Sequence, residues 1–189
     1  MKSLTYPFDE KTVRALKVGE AVSITGLLLT GRDRFHKFFA DGHPLPVDLR
    51  NGALYHCGPV IVKEGKDWVV KAAGPTTSVR ENPYEPALIA RTGVRLIIGK
   101  GGMDAQTLAA MKRHGCVYLQ AVGGAAALAA AAVKRVVGVT FLEAFGAAEA
   151  CWHLEVADFR AIVAMDAHGQ SLFDRVRATS AKRLHGMIG

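Results

Sequence analysis

Along the first forty residues the spacing of apolar positions changes once. Val22, Ile24 and the 26–28 stretch alternate across Ser23, Thr25 and Leu27 and run to Gly31, which predicts a strand ending at a glycine. From residue 33 to 40 the period lengthens: Phe35, Phe38 and Phe39 share a helical spacing that Gly42 stops. Residues 53–56 and 68–73 predict two more strands, the second broken at Gly74-Pro75-Thr76-Thr77. After Thr77, helices over 85–91 and 104–114 alternate with apolar runs at 94–98 and 117–119, a β-α-β punctuation. Lys112-Arg113-His114 before Gly115 predicts a helix C-terminus, because cations oppose the negative dipole end and glycine accepts the left-handed cap. A further strand-like run ends at Gly123-Gly124, and the small side chains of 125–132 predict a core helix lying close to a sheet. Strands over 152–156 and 161–165, a polar turn at 166–169 and a basic terminal helix complete the pattern. It contains no internal repeat and no linker, so it predicts one α/β domain over residues 1–189.

Composition narrows the partners. With 50% hydrophobic residues in 189, the chain has material for a packed core, which excludes intrinsic disorder. The 24 Lys+Arg exceed the 17 Asp+Glu, for a formal net charge of +7. That sign suits nucleic acid, a membrane surface or a small anionic substrate alike. The basic residues are scattered, apart from Lys182-Arg183, and aromatics are only 7%, a distribution that argues against a nucleic-acid module. Cys57, Cys116 and Cys151 lie far apart with no CxxC spacing, as in a reducing compartment. No apolar run is long enough for a membrane helix, and MKSLTYPFDEKTV has no apolar signal region; a cytoplasmic location is expected.

Three segments carry candidate chemistry. Gly99-Lys100-Gly101-Gly102-Met103-Asp104 stands between a strand and a helix, where free backbone N–H groups and a lysine favour an anion. It matches neither a Walker A loop nor a complete dinucleotide fingerprint. In Gly74-Pro75-Thr76-Thr77-Ser78-Val79-Arg80, three hydroxyls stand beside a guanidinium, a combination suited to a small dicarboxylic acid, with a Ser/Thr-capped turn as the plainer reading. Thr30-Gly31-Arg32-Asp33-Arg34-Phe35-His36-Lys37 gathers arginines, an acid that could orient His36 at i+3, and a histidine; a capped helix start with solvated charges is the alternative. His56 and His168 are single histidines read as structural, and the three cysteines match no compact cluster-ligand run.

Taken together, these segments resemble the β subunit, or C-terminal domain, of the class I iron–sulfur fumarases and L-tartrate dehydratases. The resemblance rests on Gly31-Arg32-Asp33 with His36-Lys37, on His56 before Gly58-Pro59, on Gly74-Pro75-Thr76-Thr77-Ser78 with Arg80, and on Gly99-Lys100-Gly101-Gly102-Met103. It continues through Gly123-Gly124-Ala125-Ala126, Glu149-Ala150-Cys151-Trp152 and Asp166-Ala167-His168-Gly169, nearly the whole chain. It implies a swivelling β/β/α three-layer domain, with mixed sheets and helices on one side. It also implies a site shared with an α subunit that holds a [4Fe-4S] cluster, no metal in this chain, and an (αβ)2 assembly. By position it makes Thr76 the candidate base and Arg32, Arg80, Lys100 and Thr77 substrate-binding residues, with Asp33 and His36 behind them. A threonine hydroxyl is a very weak acid, so Thr76 serves only if Arg80 or Lys100 stabilises its alkoxide.

The sequence departs from the family at Glu81, where methionine is common, and over Phe145-Gly146-Ala147-Ala148-Glu149, where Leu-Gly-Met-Pro-Glu is usual. Both changes flank the implied site and bear on substrate choice. Hydration of fumarate to L-malate ranks first and dehydration of tartrate to oxaloacetate second. A non-catalytic small-acid-binding or nucleic-acid-binding protein is the alternative of another class.

Overall fold

The computed structural model describes residues 1–188, with side chains to Met187. Five strands close into a ring: β2 (Ala21–Thr30), β3 (Ala53–Tyr55), β6 (Leu96–Gly99), β7 (Val117–Gln120) and β9 (Cys151–Met165), with β9 returning to pair with β2. The steps β2–β3, β3–β6 and β6–β7 are parallel, while β7–β9 and β9–β2 are antiparallel. β1 (Lys2–Thr5) extends β2, and β8 (Val133–Thr140) extends β9. A hairpin of β4 (Val60–Glu64) and β5 (Asp67–Ala72) forms a separate two-stranded sheet.

The short parallel strands read as continuous apolar runs because both of their faces are covered. Leu54, Ile97 and Tyr118 stand in register and point outward onto Phe35, Phe39, Leu88, Ile89 and Met111, which belong to α2 (Asp33–Ala40), α3 (Glu85–Thr92) and α4 (Ala105–His114). Tyr55, Ile98 and Leu119 point inward against Leu28, Trp152 and Leu154, where the antiparallel strands form the second layer. Trp68 of the hairpin closes that layer edge-on against Trp152, with ring centroids 5.3 Å apart. The expected α/β fold with two β layers and a helical layer is therefore present.

The predicted helices over 33–40 and 104–114 form as α2 and α4. Asp104 caps α4 by accepting from Thr107 N at 2.8 Å, and Gly115 closes it at φ 70° behind its cationic last turn. Other expectations change. The segments 152–156 and 161–165 are one strand, bent at Asp158 (φ 55°) where β9 passes from β8 to β7. No separate strand precedes Gly123; β7 ends at Gln120. The alanine-rich segment forms α5 (Ala126–Ala131), but it is a surface helix: only Ala130 is buried and Leu128 is 76% exposed. It packs on β5 and β8 rather than with α2–α4, so the helices do not all lie on one side. Strands β1, β4 and β8 and the short α1 (Glu10–Arg14) and α6 (Leu142–Phe145) have no counterpart in the predicted pattern. The terminal helix is α7 (Leu172–Ile188).

Candidate active site

The parallel strands determine where the polar residues collect. β2 leads through Gly31 into Arg32, β3 into His56 and β6 into Lys100, all at carboxyl ends of neighbouring strands, where open parallel sheets place ligands. Residues 74–78 are stitched across two of these ends. Thr76 N donates to His56 O at 2.7 Å, Lys100 N to Thr76 O at 3.2 Å, and Ser78 N to Lys100 O at 3.0 Å. The backbone that carries Thr76, Thr77 and Lys100 is thus fixed by hydrogen bonds as a strand would be, with Thr77 bridging Lys100 in parallel.

On the outward side, Arg80 donates to Thr76 Oγ1 at 3.2 Å and pairs with Asp33 at 3.1 Å. Both members of that ion pair are nearly half exposed, 44% and 46%. Arg32 is more enclosed: its guanidinium lies 3.4 Å from Glu149 and donates to Ala148 O at 3.2 Å. A Cβ at Gly58 would collide with that guanidinium, so the glycine makes room for it. Glu149 also accepts from Arg34 N at 3.1 Å, capping α2 from the far end of the chain. Lys100 lays its stem by Gly123, where a Cβ would stand 3.7 Å from Lys100 Cδ. Thr77 is exposed beside it. Thr76, Arg80, Asp33, Arg32, Thr77 and Lys100 therefore gather at one rim. Asp33 orients Arg80 instead of the expected His36, and it stands one residue inside the helix, whose cap is Arg32.

The inward side of the same segments is a buried polar cluster. His36, His56, Glu81 and Glu85 have no exposed side-chain surface. His36 Nε2 lies 3.1 Å from Glu85 Oε2, His56 Nε2 lies 3.3 Å from the same oxygen, and Glu81 Oε2 is 3.3 Å from His36 Nδ1. Burial alone would depress His36, but the adjoining Glu85 and Glu81 carboxylates outweigh it and raise His36 to about 9. Burial would likewise raise Glu85, and the two imidazoles outweigh it, holding Glu85 down at about 2. His56 is lowered by burial. Burial, with Asp33 and Glu85 nearby, pushes Glu81 up to about 7 against the pull of His36.

Of the three hydroxyls expected at the rim, Ser78 turns away. Its Oγ lies 2.9 Å from His56 Nδ1 and 2.9 Å from Tyr118 OH, and a Cβ at Gly99 would collide with it. Glu81 is not a flanking position but part of the buried cluster. Sequence reasoning missed His56, Glu81, Glu85 and Glu149 as partners of the site and placed Ser78 on its wrong side. The available signal was the four-residue step from Glu81 to Glu85 directly after Arg80, matched by the same step from Arg32 to His36. His168 keeps the structural role expected of it: Nε2 contacts Arg14 O at 2.8 Å, and Asp166 gathers the turn's amides.

The cysteines offer no cluster site among the described residues. Cys57 is buried in the inner layer, and Cys116 and Cys151 in the outer one. Burial pushes Cys57 and Cys151 up to about 12 and Cys116 higher still, which opposes the thiolate form an iron ligand needs.

Residues 3–176 match the family described as Fumarase C-terminus. A protein of Geobacillus stearothermophilus, provisionally named a class I fumarate hydratase, is 50% identical over 183 residues; these cover 96% of this chain and 35% of that protein. A protein of Methanocaldococcus jannaschii, provisionally named L(+)-tartrate dehydratase subunit beta, is 41% identical over 98% of this chain and 100% of its own length. The L(+)-tartrate dehydratase subunit beta of Escherichia coli K12 is 34% identical, covering 96% of this chain and 91% of its own. The chain thus spans about a third of the first relative and nearly all of the other two. With its rim of Arg32, Thr76, Arg80 and Lys100 at the carboxyl ends of parallel strands, this chain belongs to the fumarase C-terminus family.

Proposed function

We propose that this chain is the β-type subunit of a hydro-lyase that interconverts fumarate and L-malate, completed by an α subunit. The observation that carries the reading is the 3.2 Å hydrogen bond from Arg80 to Thr76 Oγ1 within a rim of three cations. Arg32 and Arg80 present planar donors that match carboxylates, and Lys100 adds a point charge, so a C4 dicarboxylate can be held at both ends. The Asp33–Arg80 pair is half solvated and is given up cheaply when a substrate carboxylate takes its place. Thr76 Oγ1 already accepts from a guanidinium, which stabilises the alkoxide it must become to remove a proton from the carbon next to the hydroxyl-bearing one. On dehydration that proton and the hydroxyl leave as water and the double bond of fumarate forms.

On the resemblance to the iron–sulfur hydro-lyases we assign a [4Fe-4S] cluster to the partner α subunit, this chain's buried thiols being unsuited to hold one, and there it would supply Lewis-acid polarisation of the substrate hydroxyl. An (αβ)2 assembly in the cytoplasm fits this reading, with the three free thiols in keeping with a reducing compartment. Tartrate dehydration is the second reading, favoured by the end-to-end match to two proteins named as tartrate dehydratase β subunits.

The test is anaerobic co-expression with an α subunit and assay against fumarate, malate, mesaconate and L-tartrate. Fumarate–malate turnover is expected to dominate, and Thr76→Ala to lower kcat by about 100- to 10,000-fold, the usual contribution of a positioned base. Full activity in both Thr76→Ala and Arg80→Ala overturns the assignment, and preferred tartrate turnover selects the second reading.

A further inference from the structure

We propose that His36, His56 and Glu85 form a binding site for one divalent transition-metal ion of the zinc class, buried on the inward side of the rim. The ligand atoms converge: one oxygen or nitrogen from each residue lies within 4.8 Å of the others, and Glu85 Oε2 is 3.1 Å from His36 Nε2 and 3.3 Å from His56 Nε2. Tetrahedral zinc with bonds of about 2.0–2.2 Å separates its ligand atoms by roughly 3.3 Å, so Glu85 Oε2 already stands at shell spacing from both imidazole nitrogens.

The hydrogen bonds around the rings favour metal ligation. His36 Nδ1 lies 2.9 Å from Arg32 O, a carbonyl that can only accept, so Nδ1 carries the proton. His56 Nδ1 lies 2.9 Å from Ser78 Oγ, which is joined in turn to Tyr118 OH. His36 thus has the outer-shell pattern of a ligating histidine, in which one ring nitrogen donates to protein and the other turns its lone pair to the ion, and the Ser78 hydroxyl can accept from His56 Nδ1 in the same way. The rings meet nearly at right angles, with centroids 5.1 Å apart, and both Nε2 atoms face Glu85.

Among the described residues, His36 Nε2 and His56 Nε2 meet only the shared Glu85 oxygen, as close ion-pair contacts. His36 Nε2, His56 Nε2 and both oxygens of Glu85 are buried without a hydrogen bond, since the short separations to Glu85 lack hydrogen-bond direction. Leaving such groups without a directed hydrogen bond in a low-dielectric interior is costly. The two oxygens of Glu81 are buried and unbonded as well, and Oε2 lies 3.3 Å from His36 Nδ1, so a second carboxyl group stands beside the ligand set. Two imidazoles and one carboxylate favour zinc over magnesium or calcium, which take oxygen ligands.

The test uses the full chain refolded with Zn2+ or with EDTA, desalted through a weak chelator and analysed for metal and melting temperature. About one zinc per chain and a higher Tm than in the EDTA sample are expected, and Glu85→Gln and His56→Gln should fall below about a tenth of that stoichiometry while Cys57→Ala keeps it. Should the variants fail to fold, zinc-edge X-ray absorption of the wild type must show imidazole and oxygen ligands only. A wild type that retains no zinc, a Glu85→Gln protein that still holds one per chain, or a sulfur shell at the edge each overturns the proposal. None of these readings depends on turnover, so the site stands or falls apart from the assigned reaction.

Discussion

Arg32 and His36 sit one helical turn apart on α2, yet one reaches an open rim and the other has no exposed surface. Residues 76–85 repeat the division: Thr76, Thr77 and Arg80 face outward, while Ser78, Glu81 and Glu85 face inward. The rim's charges are held by pairs that water already weakens, such as Asp33–Arg80, and such pairs are worth about 0–1 kcal/mol. The inner groups have no exposed side-chain surface, and stripping one partner from a buried charge costs about 3–5 kcal/mol. One pair of segments thus supplies exchangeable charge for a ligand and locked charge beneath it. The locked layer reaches the backbone that carries Arg32 through the His36 contact to Arg32 O.

The largest break in this comparison is expected from His36→Leu. In the chelator-stripped chain it leaves Glu85 without its imidazolium, and urea unfolding should show a loss of about 3–5 kcal/mol. A change below about 1 kcal/mol would mean that Glu85 is not ionised in the folded chain. Next in size is a pH effect on the same stripped chain. His36 titrates near 6.5 when unfolded and at about 9 when folded, so the folded state holds the proton more tightly. Its stabilisation is complete below pH 6.5 and lost as the pH rises through 9; melting temperatures across that window should fall, and His36→Leu should flatten the decline. The smallest stability effect belongs to the rim. Asp33→Asn removes an exposed partner of Arg80 and should cost less than about 1 kcal/mol, while KM of the proposed αβ hydro-lyase should change because Arg80 is released. A loss as large as that of His36→Leu would erase the distinction between rim and cluster.

Much of the rim was legible in the sequence because loop residues after strands are few and their chemistry is conspicuous. Arg32, Thr76, Arg80 and Lys100 each follow or flank a predicted strand end, and each lies where that position puts it. The buried cluster was less legible. His56 stands alone in its segment, Glu81 reads as a change flanking the site, and Glu85 as the first residue of a predicted helix. The folding of α3 against α2 turns them inward, and no local period records that. The alanine-rich segment failed for the opposite reason. Small apolar side chains imply burial only if something covers them, and the described fold leaves Leu128 in the open.

The sequence by itself determined the helices with strong caps and the strands with continuous apolar runs, since these follow from local periodicity and backbone chemistry, while the residues of the rim were singled out by their places at strand ends together with the family resemblance. Only the tertiary structure decided that β9 is one strand closing a ring, that Glu149 caps α2 and braces Arg32 from more than a hundred residues away, and that two histidines and two glutamates share one dry space. Strand pairing and buried charge are both non-local. Their energies depend on which distant groups arrive at contact distance, and that information exists only after the chain has packed.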